Sequence, residues 1–193
     1  MNKLNKNYLS IHELKKIGFK KIGKNSKISK NIITHSAQID LGDNVRIDDG
    51  CILKGNIKFG NNVHLGHNCI LGAGSGKISL DNFAAISANT LFFTNSDDYI
   101  KPFLPSATLD KRNRKIYSKI HSGDIKIGKA CLIGAGSVLL PGTKMNDYSS
   151  IGALTVLHKE VKKGSYFSSY NNKLVKRDWQ KIEEKIKKYY KTK

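Results

Sequence analysis

The sequence predicts a mainly β fold of the solenoid class, and three observations carry that prediction. An apolar residue returns at every sixth position, first at Leu41, Ile47, Leu53, Phe59, Leu65 and Leu71, then at Ile127, Ile133, Leu139, Met145, Ile151 and Leu157. Glycine follows many of these, at Gly42, Gly60, Gly66, Gly72, Gly128, Gly134 and Gly152. The fourth position after each is small or β-branched: Val45, Cys51, Val63, Cys69, Ser75, Cys131, Ser137, Thr143, Ser149 and Thr155. A period of six fits neither an α-helix nor a simple alternating strand. It fits a coil of short flat strands and turns, repeated so that each coil stacks on the last. Three hexapeptides close one triangular coil of 18 residues, so Leu41 stacks on Phe59 and Ile127 on Met145, about 4.8 Å apart. The glycines are expected to supply backbone conformations that other residues adopt only at a cost.

The elements follow in order. Residues 8–18 read as a short helix that Ser10 caps and Gly18 stops. The solenoid begins near Ile22. The run Gly72-Ala-Gly-Ser-Gly-Lys lengthens one coil, because Phe59 and Leu80 are 21 residues apart rather than 18. The beat resumes at Leu80, Ile86 and Phe92 and stops over residues 95–124, which are polar and contain Pro102 and Pro105. A long excursion inside a repetitive fold is where function tends to reside. Residues 178–190 read as a second helix, with Trp179, Ile182, Ile186 and Tyr189 or Tyr190 on one face. That face is expected to pack on the solenoid or a neighbouring subunit. The chain thus divides into a helical segment (1–20), a β-helix domain (21–161) carrying the 95–124 loop, and a C-terminal segment with its helix (162–193).

Thirty-four Lys and Arg stand against 15 Asp and Glu, a formal net charge of +19. Such a balance suits anionic partners, among them the phosphates of a coenzyme or a nucleotide sugar. The aromatic residues do not interleave with the basic ones in any nucleic-acid recognition pattern, so no nucleic-acid partner is expected. Cys51, Cys69 and Cys131 all fall on the small inward position and read as buried reduced thiols, which suits a cytoplasmic protein. The first residues hold no signal-like apolar run, and no stretch has the length of a membrane span.

The segment from Ile127-Gly-Lys-Ala-Cys-Leu-Ile133-Gly-Ala-Gly-Ser-Val-Leu139 through Met145 to Ile151-Gly-Ala-Leu-Thr-Val-Leu157 resembles the hexapeptide-repeat acyltransferase family. The resemblance covers roughly residues 21–177. It implies a left-handed parallel β-helix, a homotrimer, acetyl-CoA as co-substrate, and a loop that helps build a neighbour's active site. The hand comes from the resemblance, since ordinary parallel crossovers are right-handed.

Acyl transfer from a thioester needs a base for the acceptor's proton, a group that orients the base, and N–H donors for the oxyanion. Histidine is the usual base near neutral pH. His12, His35 and His158 read as surface residues, and His121 lies at the end of the loop. His64 and His67, in Val63-His-Leu-Gly-His-Asn-Cys, take outward positions in the coil before the loop. Coil stacking puts Arg46 beside His64 and Asp49 beside His67. Val45-Arg-Ile-Asp-Asp, Val63-His and Ser96-Asp-Asp-Tyr are similar to motifs of the family's sugar O-acetyltransferases. The resemblance therefore implies His64 as base, Asp97 or Asp98 as its polar partner, His67 as second candidate, and Arg46, Asp49 and Tyr99 as substrate contacts. The maltose and galactoside branch carries its base in the loop, where Asn95-Ser-Asp-Asp-Tyr has no histidine. Either the base has moved to the earlier coil, or the acceptor is an amine that needs no strong base.

For the donor, the resemblance implies backbone contacts of the pantetheine arm at Gly134, Ala135, Gly152 and Ala153, with Lys159, Lys173, Lys176 and Arg177 holding phosphates. No metal is expected. The metal-dependent branch of this fold needs three histidines gathered across two subunits, and the spacing of His64 and His67 does not match it. The first functional reading is acetyl transfer to a sugar hydroxyl during cell-surface polysaccharide assembly, by direct attack with no acyl-enzyme. The alternative is N-acetylation of a nucleotide-linked amino sugar.

Overall fold

The computed structural model describes residues 7–169 and 178–191, with the backbone alone at 175–176. It is a parallel β-solenoid whose three faces are read directly from strand register. On the first face Leu41, Phe59, Leu80, Ile127, Met145 and Val161 stack in line. On the second, Ile28, Ile47, Leu65, Ile86, Ile133 and Ile151 do so. On the third, Leu53, Leu71, Phe92, Leu139 and Leu157 form the ladder. These side chains point inward, and together with the small residues at the corners they make one continuous core. The six-residue beat is therefore one inward side chain per face. Cys51, Cys69 and Cys131 lie in that core, and none forms a disulfide among the described residues.

Two details differ from the sequence reading. The glycines that follow the apolar beat do not adopt positive φ. They are required by thickness instead: a Cβ on Gly42 would lie 2.6 Å from the carbonyl carbon of Gly60, and one on Gly134 would lie 2.2 Å from the amide nitrogen of Ala153. The left-handed conformation falls two residues after the glycine, at Asn44, Asn62 and Asn68, where asparagine tolerates it best, and at Ala130 and Leu154. Ser75 is the second departure. It is exposed in the lengthened coil rather than inward, because residues 73–76 are the insertion that turns a corner of the strand Ile70–Leu80.

The residues after Thr94 form a built excursion. Asn95–Asp97 pairs antiparallel with Ile120–Ser122, and between them lie a 3-10 turn, Ser106–Thr108, and a short helix over Lys111–Tyr117 capped by Asp110. Gly123 N donates to Thr94 O at 2.9 Å and closes the base, so that Ala85 can stack on Leu132 as though the intervening residues were absent.

Two further helices cover exposed parts of the solenoid. The first, Ile11–Lys16, is held by a reciprocal capping box between Ser10 and Glu13, and buries Leu14. The second, Trp179–Lys191, lies along the edge between the first and second faces. Ile186 is buried there with Ala130 and Tyr148, Trp179 stacks on Tyr148 at 5.7 Å, and Phe83 meets Tyr189 and Tyr190 edge-on. Lys129 and Tyr148 both bind Glu183 of this helix.

The thickness constraint gives a direct prediction. Gly134→Ala should lower the melting temperature sharply, because its new methyl meets neighbouring backbone that cannot move without parting two coils. Gly142 has a φ of +83°, and a methyl group added there would meet nothing within 4 Å, so Gly142→Ala should cost only the left-handed strain, about 1–2 kcal/mol. Thermal melts of the two variants side by side check the difference.

Candidate functional site

The stacking that places Arg46 on His64 also defines the site on the edge between the second and third faces. Arg46 and His64 both project outward from two-residue strands, and the turn after each carries further polar groups. Asp48, 7% exposed, is the centre of this group. One of its oxygens accepts from Arg46 Nε at 2.6 Å, the other pairs with His64 Nε2 at 2.8 Å, and His67 Nε2 is 3.6 Å away. Burial pushes this carboxyl up, but the bonds from His64 and Arg46 outweigh it and hold the group below its ordinary value. The same bond raises Arg46. An imidazole whose Nε2 is tied to a carboxylate leaves Nδ1 as the acceptor, the arrangement of a general base with its orienting partner.

Within the chain neither histidine is paired with its expected carboxylate, Asp49 for His67 and Asp97 or Asp98 for His64, among the described residues. Asp49 instead accepts from Ser29 Oγ and is exposed. The partner of both histidines is Asp48, one residue earlier. The inward residue of that strand is Ile47, and the repeat alone does not tell that Asp48, at the corner, turns back along the coil. Tyr8, Ser29, Arg46, Asp48, Asp49 and His67 line a hollow of about 330 Å³ beside this cluster.

Asp97 and Asp98 stand at the other edge of the third face, at the base of the excursion. One Asp97 oxygen accepts from Ser106 N at 3.1 Å, while Oδ1 is buried with no hydrogen-bond partner among the described residues. Asp98 accepts from the backbone N–H groups of Ile100 and Lys101, at 2.9 and 3.0 Å, and pairs with His121 Nε2 at 3.1 Å. The Lys101 and Ile100 bonds, with His121, bring its carboxyl down to about 2. Tyr99 is 87% exposed and its hydroxyl accepts from Ser96 Oγ. A hollow of about 560 Å³ opens here, walled by Asp98, Tyr99, His121, Leu140, Pro141 and His158 among others. Thus the imidazole missing from Asn95-Ser-Asp-Asp-Tyr arrives from across the hairpin, where His121 is paired with Ser96. Only the antiparallel pairing could reveal this, since the two residues are far apart in sequence.

Gly134, Ala135, Gly152 and Ala153 occupy the same edge as His64 and His67. From the His64 strand to the Leu132 strand is two strand spacings, roughly 10 Å. Gly134 N and Gly152 N both donate to the next coil, so these two positions present backbone at the edge, with Tyr166 and Ser168 standing beside Gly152. Lys159 Nζ lies 4.4 Å over the ring of Phe167. Lys173 and Arg177 fall outside the described residues, as does the side chain of Lys176. Among the described residues no group of three or more His, Cys, Asp or Glu is arranged to hold a metal ion. Among the described residues no helix is long and apolar enough to cross a membrane.

No family profile matches this chain. It is 32% identical over 158 residues to a dTDP-4-amino-4,6-dideoxy-D-glucose acyltransferase of Escherichia coli, spanning 79% of each chain. AntD, an N-acyltransferase from Bacillus cereus solved with dTDP and 3-hydroxybutyryl-CoA, superposes with a TM-score of 0.86 at 30% identity, covering 96% of this chain and 97% of that one. A variant of AntD solved with dTDP-4-amino-4,6-dideoxyglucose and coenzyme A gives 0.88 at 29% identity, covering 97% and 98%. The solenoid is therefore a left-handed parallel β-helix, and the fold and site define a sugar acyltransferase architecture. The chain belongs to the hexapeptide-repeat sugar acyltransferase family.

Asp98 makes the loop base sensitive to acid. Its carboxyl falls from an ordinary 3.8 to about 2 on folding. A depressed carboxylate adds stability above its unfolded value and loses it as pH falls through the folded one. The turn at Ile100 and Lys101 should hold its amide protection down to about pH 4 and lose it toward about pH 2. Hydrogen exchange at those two amides reads this, and Asp98→Asn should flatten the dependence.

Proposed function

We propose that this protein transfers an acyl group from acyl-CoA to the amino group of a nucleotide-linked amino sugar. The observation that carries the reading is the relationship to the E. coli enzyme and to AntD, which act on or bind dTDP-linked amino sugars. Of the two acceptors that the sequence leaves open, the amine is thus better supported than the hydroxyl. A 3-hydroxybutyryl donor in AntD widens the acyl group beyond acetyl.

The third face suggests how the two edges meet. One of its outward ladders is apolar: Ile33, Ile52, Ile70, Leu91, Val138 and Val156; the other carries His35, Lys54, Gly72 and Phe93. Ile33 and Val156 are each about half exposed. An apolar ladder of this length suits a cover. In a cyclic homotrimer with third faces toward the axis, the His64 edge of one copy lies beside the loop edge of the next, and every interface is the same heterologous contact. The exposed Tyr99, Ile100, Leu104 and Ile116 of the excursion would then be covered by the neighbour. The acyl donor would run along the backbone at Gly134, Ala135, Gly152 and Ala153, with Lys159, Lys173, Lys176 and Arg177 toward its phosphates. His64, held by Asp48, takes the proton from the attacking nitrogen as the C–N bond forms, and His67 and Arg46 frame the approach. Asp97 from the neighbouring loop lines the hollow that takes the sugar, its carboxylate anchored by Ser106 N.

The test is thiol release from acyl-CoA with dTDP-4-amino-4,6-dideoxyglucose, against the same nucleotide sugar bearing a hydroxyl. Turnover is expected with the amine alone, and His64→Ala should lower kcat by about 100-fold or more. Turnover with the hydroxyl alone would restore the O-acetylation reading. Copies bearing His64→Ala and copies bearing Asp97→Asn, unfolded and refolded together, should regain activity at about a quarter of interfaces, since each restored site takes one good edge from each copy. No gain on mixing would place both residues in one subunit's site.

A further inference from the structure

We propose that His121, oriented by Asp98, is a second proton acceptor of the site, taking the first proton from the sugar's ammonium group before the nitrogen attacks. The proposal rests on the amine-acceptor reading above.

The chemistry asks for two proton acceptors. An alkyl amine arrives at neutral pH mostly as R–NH3⁺, which has no lone pair. Loss of one proton frees the pair. The nitrogen then attacks the thioester carbonyl and the C–N bond forms. The adduct nitrogen gives up a second proton as the C–S bond breaks, and the departing thiolate takes one up. The products are R–NH–C(O)R′, the free thiol and one proton released to solvent. One imidazole tied to Asp48 serves the second transfer, so the first needs another group within the acceptor's own pocket.

His121 meets that need by position. The hairpin sets it opposite Ser96, and the hydrogen bond of Nε2 to Asp98 Oδ2 at 3.1 Å fixes the ring. Asp98 is anchored in turn by two backbone N–H groups. A carboxylate held ionised in this way takes the Nε2 hydrogen and leaves Nδ1 to accept. The ring lines the 560 Å³ hollow, whose size suits a sugar, and remains 57% exposed. The charged and titratable groups around it are Asp97, Asp98, Tyr99 and Lys101 on the outgoing limb, Lys119 just before its own strand, and His158 from the late coils. Neither His158 nor Lys101 has a carboxylate that holds it in this way among the described residues, so His121 is the oriented imidazole of the pocket.

The experiment is the pH profile of kcat/KM with dTDP-4-amino-4,6-dideoxyglucose for the wild type, His121→Asn and His64→Ala, with coenzyme A affinity measured alongside. His121→Asn is expected to lose roughly tenfold to a hundredfold near neutral pH. It should approach the wild type at about pH 9, as the amine sheds its proton unaided. Coenzyme A affinity should not change. His64→Ala should show no such recovery. A loss in His121→Asn that is equal at every pH, or no loss at all, overturns the proposal, because a merely structural residue is not rescued by alkali. A wild type that turns over no amino sugar overturns the acyl-transfer reading first, and this one with it.

Discussion

Every part of this molecule answers to one spacing. Backbone hydrogen bonds between coils hold neighbouring strands about 4.8 Å apart, and a coil can be no thicker than that. Inside the prism the limit selects one large apolar side chain per face and a small one at the corner, such as Leu65 with Cys69. At the corners it excludes even a methyl group from Gly42 and Gly134. It acts outside as well, because side chains on successive coils are forced into direct contact. Arg46 over His64 is a product of register and nothing else.

That same limit explains where chemistry can be placed. Faces are ladders of identical environment, so an outward position on a face has neighbours above and below but little concavity. Corners differ, since a turn can send a side chain back along the solenoid, as Asp48 does, or release a long excursion without disturbing the stack, as Thr94 and Gly123 do. The two carboxylate–imidazole pairs, Asp48 with His64 and Asp98 with His121, sit on the two edges that border the third face. Each carboxylate is held below its ordinary value and each imidazole remains accessible, which is the division of labour a proton transfer requires.

The period of six made the solenoid legible in the sequence, and the break at residue 95 marked the excursion. Ser10, Gly18 and the Trp179-to-Ile186 spacing marked the short helices. The site was legible only in part. His64 and Arg46 were placed correctly because a step of 18 residues is a contact in this fold. Asp48 was missed because a repeat tells which residues point inward but not which way a corner side chain leans. His121 was missed as a partner because the hairpin that brings it to Ser96 has no repeat to announce it. The role of the beat glycines was misread for a related reason: sequence shows where a side chain is absent, and only stacking shows what would have struck it.

The last helix ties together parts of the chain made at very different times. Trp179 meets Gly164 and Tyr148, while Tyr190 reaches back to Phe83 and Asn62. During synthesis the coils can close in order as they emerge, each on the one before. The edge carrying Phe83, Ala130 and Tyr148 nonetheless stays open until the helix Trp179–Lys191 has emerged and docked. A fold that could otherwise assemble and fray one coil at a time is thereby fastened lengthwise by a helix that follows all of its coils in sequence.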